Sequence, residues 1–84
     1  MNMTVESAVR EFLMGVTGEV SESTLQWYGR CLSSLVEFAG DVGLQDVTAA
    51  TIRSYRADLI GRKMSPYSVH GRQRTVRRLF SWLV

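Results

Sequence analysis

The feature that most constrains this chain is a helix-opening pattern that occurs three times: an apolar residue, a hydroxyl residue next to it, and a second apolar residue five positions after the first. It reads Val20-Ser21 with Leu25, Val47-Thr48 with Ile52, and Met64-Ser65-Pro66 with Val69. The hydroxyl accepts one of the orphan amide hydrogens of a first helical turn, and the two apolar residues clamp the angle at which the chain enters the helix. Pro66 strengthens the third copy, because a proline at the first helical position gives up an amide that would have had no partner. A weaker version, Met3-Thr4 with Ala8, predicts a helix at the start of the chain. Four such starts in 84 residues leave room for little besides helices and short turns.

Glycines suggest where the helices stop. The first is expected from about Val5 to Val16, stopping near Gly15 and Gly18, and the second from about Glu22 to Ala39, ending at Gly40 with Asp41-Val42-Gly43 as a turn. The third covers about Ala49 to Ile60 and ends at Gly61, and the fourth runs from Pro66 toward Val84. At about 100° per residue each helix gathers an apolar stripe. The stripes are Val5, Val9, Phe12, Leu13 and Val16; then Leu25, Tyr28, Leu32, Leu35, Val36 and Ala39, flanked by Cys31 and Phe38; then Ile52, Tyr55 and Leu59; and last Val69, Val76, Leu79, Phe80 and Leu83. No alternating apolar pattern marks a strand, and no repeat or low-complexity linker divides the chain. Four stripes closing one small core predict an all-α bundle forming a single domain.

Several function classes are disfavoured by composition. One cysteine, Cys31, cannot form an internal disulfide, and no Cys/His spacing suits zinc, so neither a metal nor another cofactor is expected and a reducing cytoplasm is the natural setting. No stretch approaches the roughly 18–20 apolar residues of a membrane span, so no membrane partner is expected. His70, the lone histidine, sits among arginines rather than beside a carboxylate and a nucleophile, and there is no phosphate-cradling glycine loop, so no catalytic residue is assigned. Trp82, with Phe80 and Leu83, reads as core. A chain ending two residues after Trp82, in the middle of a helix, reads as a fragment of a larger protein.

The net charge of +2 hides a strong segregation. Residues 1–42 carry Arg10 and Arg30 against six acidic groups, whereas residues 43–84 carry Arg53, Arg56, Arg62, Lys63, Arg72, Arg74, Arg77 and Arg78 against Asp46 and Asp58. Scattered arginines usually form a solvated face, but segregation of this kind also suits a polyanion. On the fourth helix, Tyr67, His70, Gly71, Arg74, Arg78 and Ser81 fall within about 60° of the pole opposite Val76, with Arg77 at the boundary and Arg72 nearer the apolar stripe. Arginine forks onto guanine edges or phosphates, and Gly71 permits close approach of a backbone. The second helix offers Ser23, Gln26, Arg30 and Ser34 on one side with Trp27 at its edge. Its first turn offers unpaired amides, although Glu19 and Glu22 weigh against a general anion site.

Taken in order, Ser21-Glu22-Ser23-Thr24-Leu25-x-x-Tyr28, Leu32-x-x-Leu35-x-x-Phe38, Asp46-Val47-Thr48 leading to Ile52-x-x-Tyr55, and Ser65-Pro66-Tyr67-Ser68-Val69 through Val76-Arg77-Arg78-Leu79-Phe80-Ser81-Trp82-Leu83 resemble the N-terminal core-binding domain of the tyrosine recombinase and phage integrase family. The resemblance runs from about Thr4 to Val84. It implies a four-helix, SAM-like orthogonal bundle that grips duplex DNA at a recombination core site, opposite a catalytic domain that would follow it, in a C-shaped clamp. By position it implies DNA contacts from Ser21, Ser23, Thr24, Trp27 and Arg30 on the second helix and from Tyr67, Ser68, His70, Gly71, Arg72 and Arg74 on the fourth, with Arg77 and Arg78 toward phosphates or a neighbouring element. The family's catalytic residues belong to the downstream domain, so Tyr28, Tyr55 and Tyr67 are not its nucleophile. At Gly71 and Gln73 the chain departs from relatives that carry a basic and an apolar residue there. Implied partners are double-stranded DNA and other recombinase protomers in a DNA-bound tetramer, the isolated domain being monomeric. The alternative reading is a helical protein-interaction module, since small bundles also pair through their helices.

Overall fold

The computed structural model describes residues 3–83. The end of the fourth helix expected toward Val84 therefore lies outside the described residues. Four α-helices follow one another as α1 (Val5–Val16), α2 (Glu22–Ala39), α3 (Ala49–Gly61) and α4 (Pro66–Leu83), with a single 3-10 turn at Leu44–Asp46 between α2 and α3. The domain is a slab of 34 × 32 × 18 Å, about two helix diameters thick.

Each expected start is made by the expected hydroxyl. Thr4 accepts the Ser7 amide at 3.1 Å, Ser21 the Thr24 amide at 3.2 Å, Thr48 the Thr51 amide at 3.3 Å and Ser65 the Ser68 amide at 3.2 Å. At Thr48 the exchange is reciprocal, because Thr51 Oγ1 accepts the Thr48 amide at 3.1 Å. Such caps are worth about 1 kcal/mol each. The apolar residues that precede three of them, Val20, Val47 and Met64, rest partly buried against the core.

The helix ends differ from the glycine expectation. Gly40 caps α2 in ordinary helical geometry, φ −60° and ψ −35°. At the end of α3 the left-handed residue is Lys63, φ 61°, rather than Gly61. Met64 N–H reaches the Leu59 carbonyl at 3.4 Å and Lys63 N–H the Ile60 carbonyl at 2.9 Å. That pair of bonds is a Schellman closure, and it sits two residues later than the glycine suggests because the residues that follow, Met64 above all, must return to the core.

The core contains Val5, Val9, Phe12 and Val16 of α1, Leu32 and Leu35 of α2, Tyr55 and Leu59 of α3, and Val69, Val76 and Leu79 of α4. These are the predicted stripes, joined by the fully buried Cys31. Two placements were not expected. Ser34, on the polar side of α2, is buried and meets the Tyr55 hydroxyl at 2.6 Å. The reason is that α3 covers the C-terminal half of α2, where Tyr55 also packs on Phe38 at 5.7 Å between ring centroids. In addition, the chain before α1 pairs with the α2–α3 connection: Leu44 N–H to Met3 O at 2.6 Å, Val5 N–H to Val42 O at 3.0 Å and Glu6 N–H to Gly40 O at 3.1 Å. Trp82, 38% exposed, closes the far end of the bundle, edge-on to Phe12 at 5.6 Å and lying over Gly15, where a side chain would collide with it. Among the described residues no helix is long and apolar enough to cross a membrane.

Candidate nucleic-acid interface

The N-terminal half of α2, free of α3, runs beside α4, and the two helices leave a recess of about 580 Å3 between them. From α4 it is lined by Tyr67, Gly71, Arg74, Arg78 and Ser81, a spacing of four, three, four and three residues that keeps one helical face turned inward. Arg77 joins this rim, and Trp27 and Tyr28 face it from α2. Gly71 is what lets the helices approach. It is buried, and a Cβ there would stand 3.0 Å from a ring carbon of Trp27. Four residues on, the buried Thr75 hydroxyl donates to the Gly71 carbonyl at 3.0 Å, so that this polar atom of α4 is satisfied.

Electrostatically the recess is one-sided. Arg30, Arg74, Arg77 and Arg78 are exposed, and among the described residues every ion pair lies elsewhere: Glu6 with Arg10, and Glu37 and Asp58 with Arg62. Four guanidiniums thus stand without a carboxylate within 4.0 Å on the α2–α4 side. Arg62 bridges α2 and α3, at 3.5 Å to Glu37 and 3.0 Å to Asp58. Exposed ion pairs of this kind contribute at most about 1 kcal/mol.

The residues singled out from the sequence do not all gather in this recess. Trp27, Tyr67, Gly71, Arg74, Arg77 and Arg78 do. Ser21, Ser23 and Thr24 form a cluster at the start of α2, where Ser21 Oγ donates to Thr24 Oγ1 at 2.9 Å and lies 3.3 Å from Ser23 Oγ. Arg30 is exposed one turn beyond Trp27. Ser68 belongs to the α4 cap, its hydroxyl accepting from Ser65 at 3.2 Å. His70 falls outside the recess and lines a second, smaller groove between α3 and α4, with Arg56, Ile60, Met64 and Gln73. Arg72, which the helical spacing puts nearer the apolar stripe, is half-buried. Its guanidinium reaches the Ser68 carbonyl at 3.4 Å, and its Nε is buried without a partner. Gly71, expected to admit an approaching ligand backbone, is instead filled over by Trp27.

Three lining residues went unassigned from the sequence. Tyr28 belongs to the apolar stripe of α2 and packs on Phe12 at 5.6 Å, but its other side borders the recess. Thr75 carries no signal except its position four residues after a glycine. Ser81 lies on the basic face, and its spacing from Arg74 and Arg78 was the clue to it.

Residues 9–84 match the family model for the phage integrase N-terminal SAM-like domain. The chain belongs to that family. The integrase domain includes both recess-forming helices whole, and the all-α SAM-like bundle expected from the resemblance is its fold. Tyrosine recombinase XerC of Salmonella typhi is 35% identical over 74 residues, covering 84% of this chain and 25% of the relative. The integrase domain thus spans about a quarter of the length of that curated relative. No solved structure matches it significantly.

Proposed function

We propose that this integrase domain binds duplex DNA at a recombination core site, as one arm of a clamp whose other arm is a catalytic domain following it, and so supports site-specific integration or recombination. The observation that carries this reading is the α2–α4 recess: exposed guanidiniums at Arg74, Arg77 and Arg78, joined by Arg30, on a surface where, among the described residues, no carboxylate pairs with them. Arginine is the side chain best suited to forked bonds with phosphate and guanine. Family membership supplies the context, the relative being by name a tyrosine recombinase. In this reading the Ser21, Ser23 and Thr24 cluster meets the backbone at the start of α2, the recess arginines meet phosphates or base edges, and other recombinase protomers on the same DNA are partners.

Binding of a duplex, followed by fluorescence anisotropy at several salt concentrations, tests the reading. Log affinity should fall linearly with log salt, with a slope of about −0.9 for each phosphate neutralised. Arg74→Ala should lower the affinity and reduce the slope by about one, leaving the thermal melt unchanged. Absence of binding even at low salt would refute DNA recognition by this domain. An Arg74→Ala variant that unfolds would refute the assignment of the α4 faces.

A further inference from the structure

The recess holds more than an array of charges. Most aromatic side chains of the domain serve the fold by pairing with one another: Phe12 with Tyr28 and with Trp82, and Phe38 with Tyr55. Trp27 and Tyr67 pair with no other ring among the described residues, and both line the recess. Tyr67 is 78% exposed in the first turn of α4, where its ring contributes almost nothing to the core. The side of α4 that faces Trp27 is chemically quiet, because Gly71 offers no side chain and the Thr75 hydroxyl is turned onto the Gly71 carbonyl. One face of one helix therefore presents a ring at Tyr67 and guanidiniums at Arg74 and Arg78, with a second ring, Trp27, held close against it at Gly71.

An intact duplex cannot use this arrangement fully. It presents phosphates and groove edges on its outside, which the arginines can meet, while its flat apolar base faces are stacked away inside. The aromatic part of the recess would stay wet against it. A base that has left the stack is the complementary shape: a planar π-surface for the rings, with a phosphate on each side for the arginines. A small apolar ligand would leave the guanidiniums unanswered, and an acidic peptide would leave the rings so.

We propose that the α2–α4 recess is a binding site for an unstacked nucleobase, stacked on Trp27 and Tyr67 with its flanking phosphates on Arg74 and Arg78. This rests on the DNA-binding reading and adds to it a preference for DNA that is locally unpaired. The site then senses distortion of the duplex rather than a fixed base sequence, since every base has a face to stack.

The test uses the 84-residue chain and two probes: an intact duplex, and the same duplex with one unpaired aminopurine, a fluorescent base, bulged from one strand. The bulged probe should bind about tenfold more tightly, a modest value for one base–aromatic stack, and its fluorescence should be quenched on binding. Tyr67→Ala and Trp27→Ala should bring the ratio of the two affinities toward one, whatever happens to either affinity alone. Arg74→Ala should weaken both probes and keep the ratio. Tyr67 is exposed, so its variant remains informative even where Trp27→Ala loosens the fold. Equal affinity for both probes with no quenching would overturn the base site and leave duplex binding standing. Failure to bind either probe at low salt would remove the DNA-binding reading, and this inference with it.

Discussion

Ser34 and Tyr55 meet at 2.6 Å in a part of the interior where two polar groups must satisfy each other. The Ser34 hydroxyl already donates to the Cys31 carbonyl at 2.8 Å, so in this pair it is Tyr55 that donates. Burial pushes the Tyr55 phenol above its ordinary value of 10.0, and the Arg72 charge offsets that only in part. The folded state therefore holds the proton more tightly than the unfolded chain does. The stability this confers is whole below about pH 10 and is lost as pH rises through the raised value. Urea melts at rising alkaline pH should show this decline, and Tyr55→Phe should flatten it; an unchanged decline in the variant would assign it to other groups. Ser34 also shows what single residues hide in a sequence. A helical wheel gives the direction of a side chain but not what lies in that direction. Ser34 shares its side of α2 with Ser23 and Arg30, and only the arrival of α3 makes it interior. Gly71 is hidden for the same reason, since Trp27 comes from another helix.

At the scale of helices the sequence is far more transparent, because a cap, a staple and a stripe are all local. All four N-terminal caps use the residue that the pattern named, and the bounds of α1 and α2 agree with expectation. The exception, the end of α3, is non-local in cause: Lys63 adopts the left-handed turn so that Met64 can fold back onto the core. The elements are held together less by their own propensity than by the stripes they bury. Leu32, fully buried in the middle of α2, lies where that stripe joins the common core. Leu32→Ala should therefore cost about 2–5 kcal/mol in urea denaturation. A loss below about 1 kcal/mol would mean that the centre of α2 packs loosely. Recess geometry was only half legible at this scale: the face of α4 could be drawn, but not the fact that α2 lies close enough beside it to make a cleft, with His70 directed to a different groove.

For the molecule as a whole, the long dimension of 34 Å equals about one turn of duplex DNA, a size suited to the proposed clamp arm. What no local pattern foretold is the seam between the first residues and the α2–α3 connection, where Met3, Val5 and Glu6 bond with Leu44, Val42 and Gly40. Its partners are about forty residues apart, and neither side carries the alternating pattern of a strand. The seam turns α1 and α2 into a buckled belt. While the buckle holds, neither helix can peel away without the other, whereas α3, which packs chiefly on α4, has no such fastening. Native-state hydrogen exchange should accordingly show the Val5, Glu6 and Leu44 amides opening at the same slow rate as those in the middle of α2, and α3 opening sooner. Fast exchange at the seam would undo the idea. The consequence for the recess is a shared footing: a belt that stays shut carries Trp27, and α4, which supplies the arginines, rests more on that belt than on α3.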